Sequence, residues 1–134
     1  MKAMSFVIIK INPLLFSQFK NEFVDDVVRF FPNIKHPAFH KSIISLYQLV
    51  ENGTTKGILF TSKPHFIEFG SIEISIIVYQ KYQHLGVGSK AINEIINIEN
   101  DYCFRVRKDN LKAQSFFQKS LAKKFVLDDF IIYK

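Results

Sequence analysis

Two glycines in the segment Gln83-His84-Leu85-Gly86-Val87-Gly88-Ser89 stand where a strand pattern gives way to a helix pattern. Before them, Ile72, Ile74, Ile76 and Val78 alternate with Glu73, Ser75 and Ile77, the period of a pleated surface. After them, Ala91, Ile92, Ile95 and Ile96 recur at helical spacing. Glycine at such a junction lets the backbone take dihedrals closed to other residues and come close to a ligand. The first-turn N–H groups have no intrahelical partner, and the helix dipole adds partial positive charge. Together these make an anion site suited to phosphate. A tight strand-to-helix junction without a ligand would use the same two glycines. Two other phosphate motifs do not fit: no Gly-Lys-Ser/Thr follows at P-loop spacing, and no third glycine completes a dinucleotide fingerprint.

Other reactive residues are sparse. His36 and His40 have the spacing of two ligands on one helical face, but no neighbouring carboxylate or third histidine accompanies them, so they read as solvated loop histidines. No metal is expected. Cys103 is the single cysteine, which excludes an internal disulfide and a thiolate cluster and fits a reducing, cytoplasmic location. On an alternating strand it reads as a packed residue, not an acyl carrier.

The elements that must position these groups follow from the rest of the chain. Its 134 residues suit one domain, 1–134, and 48% hydrophobic residues with 15 Phe exclude a disordered chain. The apolar run Met4 to Ile9 is interrupted by Lys10 and reads as part of a strand, Ser5 to Ile11, not as a signal peptide. No stretch approaches a membrane span. The net charge of +6 suits a polyanionic ligand, and the basic residues are scattered, which argues against nucleic acid.

Asn12-Pro13 predicts a helix start, with Phe16, Phe19, Phe23, Val27, Phe30 and Phe31 as its apolar stripe before Pro32. Ile43–Val50 and Ile58–Thr61 read as strands joined through Asn52-Gly53. Phe66 to Phe69 is expected to pair outward or to start the next strand. The helix after Gly88 is expected to run to about Glu99. Tyr102–Arg107 alternates as a strand, Asp109 or Asn110 caps a second helix, and Phe125–Leu127 with Phe130–Tyr133 reads as a closing hairpin.

This order, and the Gln-x-x-Gly-x-Gly segment after a Val-ending strand, resembles motif A of the GNAT superfamily of CoA-dependent N-acetyltransferases. A second segment, Val106-x-x-x-Asn110-x-x-Ala113-x-x-Phe116-Phe117-x-Lys119, is similar to that family's motif B. The resemblance covers nearly the whole chain. It implies an α/β fold with a mixed, mostly antiparallel central sheet, a splayed parallel strand pair and helices on both faces. The splayed pair would be Ile72–Val78 and Tyr102–Val106. It further implies acetyl-CoA as co-substrate, held by Ile76, Ile77 and Val78 along the pantetheine arm. Gln83, His84, Leu85, Gly86, Val87, Gly88 and Ser89 would hold the pyrophosphate, and Asn110 and Phe117 would lie near the reactive end. Lys90 and Lys119 would add charge near the phosphates.

The chain departs from the family at three places. Phe117 stands where many relatives carry a Tyr that protonates the departing thiolate, and a phenyl ring has no proton to give. Leu121-Ala122 replaces a Gly-Phe pair. Arg105 stands where some N-terminal acetyltransferases have Glu. On the resemblance, Glu73 is the candidate base, with Ser75 positioning a water, and Tyr79 or Tyr82 is the candidate acid. The implied activity is transfer of an acetyl group to a primary amine of a small molecule, an amino sugar or another anionic amine metabolite, by a monomer or homodimer. A protein- or RNA-directed transferase and a CoA-binding module without catalysis are the alternatives.

Overall fold

The computed structural model describes residues 5–22, 28, 34, 36 and 39–134. Seven strands form one sheet in the order β1-β2-β3-β4-β5-β7-β6. They are β1 (Phe6–Ile11), β2 (Ile43–Glu51), β3 (Thr54–Ser62), β4 (Ile72–Val78), β5 (Tyr102–Arg107), β6 (Lys124–Val126) and β7 (Phe130–Tyr133). Every neighbouring pair is antiparallel except β4 and β5. The α-helix α1 (Val87–Ile95) joins β4 to β5, and α2 (Leu111–Ser120) joins β5 to β6.

The parallel pair positions the site. It is in register only at Ile72↔Tyr102 and Glu73↔Cys103, although β4 runs on to Val78 and β5 to Arg107. Beyond that base the two strands share no ladder, so a fork opens at their C-terminal ends. This is the splayed pair that the strand patterns and the resemblance led us to expect.

Alternation along β4 divides the core between the two faces. Ile74 joins Val87, Ala91, Ile92 and Ile95 of α1, Phe117 of α2, and Phe104, Val106, Ile131 and Tyr133 in one buried cluster. Ile77 joins Phe16, Ile34, Leu46, Ile58 and Phe60 in the cluster on the opposite side. There the rings of Phe16, Phe39 and Phe60 stand 5.2 to 5.8 Å apart. Each face therefore loses apolar surface to water, the main favourable term in forming such a layered domain.

Three local expectations change. The helix expected from Asn12-Pro13 is a 3-10 helix over Pro13–Glu22; Asn12 Oδ1 accepts from Leu14 N–H at 2.9 Å, and Phe16 is buried. The rest of its stripe, Phe23, Val27, Phe30 and Phe31, lies outside the described residues. Phe66 to Phe69 forms no strand: Ile67–Phe69 is a single 3-10 turn after Pro64, and its rings pack instead on the closing hairpin, Phe66 on Phe130 and Phe69 on Phe125. The helix α1 ends at Ile95, and turns carry the chain through Glu99, whose N–H donates to Ile95 O at 2.9 Å. The β2–β3 turn is the two residues Asn52 and Gly53, both at positive φ, as the twist of a hairpin favours.

No helix among the described residues is long and apolar enough to cross a membrane. Among the same residues no group of three His, Cys, Asp or Glu could hold a metal ion. Cys103 is buried on β5, and burial pushes its thiol up to about 11, as expected of a packed cysteine.

Candidate active site

A cavity of about 830 Å³ opens along the fork, between the end of β4, the first turn of α1 and one side of α2. Of the residues expected to hold a cofactor, Ile76, Ile77, Val78, Gln83, His84, Gly86, Val87, Gly88, Ser89, Asn110 and Phe117 line it. Leu85 does not; its side chain is 62% exposed at the outside of the turn.

The turn has the features of an anion cradle. His84 has φ 65° and Gly86 φ 82°, so the backbone passes twice through the left-handed region before α1 begins. For His84 that conformation is strained, and such strain concentrates at ligand sites. Gly86 is the N-cap and has no side chain to cap the helix, so no N-cap side chain accepts from the first-turn N–H groups of α1, and Gly86 to Ser89 line the cavity. Gln83 closes the turn from behind, its Nε2 donating to Val78 O at 3.2 Å. Gly88 serves a different end: a Cβ there would stand 2.9 Å from the ring of Phe116 on α2, so the ring would have to shift.

Among the described residues no carboxylate lines the cavity, whereas Lys112 and Lys119 do. The charge is that of a polyanion site. Lys90 is not part of it, since its ammonium donates to Glu51. The two lysines bound to Glu51, Lys90 and Lys56, hold that carboxyl below its ordinary range. Its contribution to stability is therefore present above the usual carboxylate pKa and is lost as pH falls through the lowered folded value.

The expected catalytic residues are not brought together. Tyr82 lines the cavity, with the ammonium groups of Lys56 and Lys81 5.3 and 5.4 Å from its ring centre. Tyr79 is buried and lies outside the lining; its N–H donates to Lys56 O at 2.9 Å. Glu73 is also outside it. Five residues before Val78 on an extended strand is roughly 16 Å, and at that lower end Glu73 is 7% exposed and already engaged. Its Oε1 accepts from Arg105 Nε at 2.9 Å and from His65 N–H at 3.3 Å. Glu73 thus ties β4 to β5 below the fork, outside the lining of the cavity. Ser75 is likewise outside the lining.

Asn110 caps α2, its Oδ1 accepting from Ala113 N–H at 3.1 Å, which leaves its amide NH₂ for a ligand. Phe117 is buried against Phe104, Phe116 and Tyr133, with ring centres 5.0, 5.0 and 5.6 Å away. Among the described residues the buried Tyr133 hydroxyl has no hydrogen-bond partner. Its loss in Tyr133→Phe is expected to raise stability by about 1 kcal/mol, read as a higher urea midpoint at unchanged slope. Sequence reading missed the wall formed by Leu111, Lys112, Ser115 and Phe116. Their place beside Asn110 on one helix was the available signal.

No family model matches the chain, and no curated protein matches its sequence. Solved structures do. The aminoglycoside acetyltransferase AAC(6')-Ib in complex with coenzyme A superposes with a TM-score of 0.68 at 10% identity, covering 96% of this chain and 94% of that one. The PaiA N-acetyltransferase of Thermoplasma acidophilum, also with coenzyme A, gives 0.66 at 16% identity over 97% and 98%. The GNAT domain of S. lividans PAT gives 0.67 at 12% identity over 96% and 87%. With the forked parallel pair, the strand order and these superpositions over nearly its whole length, the chain has the fold of the GNAT acetyltransferases.

Proposed function

We propose that the protein is an acetyl-CoA-dependent N-acetyltransferase acting on a primary amine of a small molecule. The observation that carries the reading is the uncapped first turn of α1 beside a cavity between the end of β4 and α2 that, among the described residues, no carboxylate lines. The residues present fit CoA. Backbone N–H groups of the turn would meet the pyrophosphate, Lys112 and Lys119 would add charge, and the β4 edge at Ile76–Val78 that β5 leaves without a ladder would pair with the pantetheine amides, Val78 O excepted because it accepts from Gln83.

The thioester supplies an activated acetyl group. A neutral amine attacks its carbonyl carbon, the new C–N bond forms as the C–S bond breaks, and the amine proton passes to solvent. A backbone N–H near Val78 stabilises the oxyanion. Holding amine and thioester together is the main contribution of such a site, because direct transfer needs no covalent enzyme intermediate. Tyr82 is the hydroxyl on hand for the thiolate, since Phe117 has none and Tyr79 lies elsewhere. The acceptor chemistry we favour is an amino sugar or another anionic amine, on the strength of the net charge of +6. The neighbours with solved structures include proteins whose names specify spermidine and aminoglycosides, which also are small amines.

Thiol release from acetyl-CoA across a panel of amino sugars, polyamines and aminoglycosides tests this. Turnover with at least one is expected. Acetylation confined to protein or RNA would select a macromolecular acceptor. Tight CoA binding with no thiol release against any acceptor would select a binding module, the reading that Phe117 favours.

A further inference from the structure

Glu51 closes β2 with a side chain only 3% exposed. A carboxylate so placed is costly unless it is paired. It has two partners. Lys56 Nζ, from β3, donates to Oε1 at 2.9 Å, and Lys90 Nζ, from α1, donates to Oε2. These lysines flank the phosphate turn on both sides. Lys90 N–H donates to Gly86 O at 3.1 Å, closing the first turn of α1. Lys56 O accepts from Tyr79 N–H, where β4 leaves the sheet, and the Lys56 ammonium lies 5.3 Å from the centre of the Tyr82 ring. One buried carboxylate thus holds both ends of the segment Tyr79–Lys90.

We propose that Glu51 is a positioning residue for the anion-binding turn: by binding Lys56 and Lys90 together, it fixes the first turn of α1 so that the N–H groups of residues 84–89 converge on a diphosphate. This rests on the reading of the cavity as a CoA site. It goes beyond that reading because Glu51 does not line the cavity. Its own charge works against anion binding, so field and positioning predict opposite signs. If only the field mattered, removing the charge would tighten the site. If Glu51 positions the turn, removal weakens binding although the region becomes more positive.

Glu51→Gln keeps the size and removes the charge. CoA affinity, measured by calorimetry, is expected to fall about tenfold, and the KM for acetyl-CoA to rise equally. Turnover at saturation should stay within about twofold. Unchanged or tighter CoA binding in a folded Glu51→Gln protein overturns the proposal. Should that variant fail to fold, Glu51→Gln/Lys90→Met removes one charge of each sign and replaces the ion pair with groups that pack. Positioning predicts weakened CoA binding there too, and wild-type affinity overturns it. A wild-type protein that does not bind CoA would instead remove the reading of the cavity.

Discussion

Gly88→Glu is expected to lower CoA affinity at least a hundredfold in a protein that still folds. Two effects act together. The added Cβ stands 2.9 Å from the Phe116 ring, so α1 and α2 must part or the ring must turn into the cavity. The carboxylate also enters the helix N-terminus, where the dipole and open N–H groups favour an anion only once. Two like charges about 4 Å apart repel by roughly 4 kcal/mol at an effective dielectric constant of 20, enough alone for two to three powers of ten. Calorimetry checks affinity, and circular dichroism checks the fold. The steric part separates cleanly: Gly88→Ala should weaken binding about tenfold, and Phe116→Leu in the same chain should restore most of the loss. Wild-type affinity in folded Gly88→Glu would move the phosphate site elsewhere.

Glu73→Gln is expected to act on stability, not chemistry. The carboxylate is 7% exposed and holds Arg105 at 2.9 Å across the base of the fork. Arg105 in turn stacks 4.4 Å from the centre of the Phe130 ring. Removing one partner of a buried pair leaves the other charge uncompensated, which costs about 3–5 kcal/mol when both are fully buried. Arg105 is 27% exposed, so about 2 kcal/mol is expected here. Urea denaturation reads this loss directly. Turnover at saturating acetyl-CoA and amine should stay within severalfold of wild type. A hundredfold fall in turnover at wild-type stability would make Glu73 the base after all.

What could be read from the sequence divides along a physical line. The Gly86–Gly88 junction, the Asn110 cap and the Asn52-Gly53 hairpin were legible because each is decided by residues within one turn of one another. The two strands of the forked pair were legible from their alternation, and their splay only through the resemblance. The partner of Glu73 was not, because Arg105 is brought beside it by the parallel register of β4 and β5, 32 residues along the chain. Nor was that of Glu51, since Lys90 is 39 residues along the chain and comes from α1, which packs back on the sheet. Tyr79 and Tyr82 looked equivalent near a strand end. The 3-10 turn Gln80–Tyr82 separates them, so that Tyr79 is buried outside the lining and Tyr82 lines the cavity. Phe116 packs on Phe117 and is also cavity wall, because α2 lies against the first turn of α1.

The central claim is that the cavity at the fork binds CoA through the turn after β4. The direct measurement is a titration of the ¹⁵N-labelled protein with CoA, followed by amide chemical shifts. The shifts are expected to concentrate at 76–78, at 83–89 and at Asn110, with saturation, and to vanish in Gly88→Glu. No perturbation at millimolar CoA, or one confined to residues away from the fork such as His65–Glu68 and Asp128–Phe130, would contradict the account.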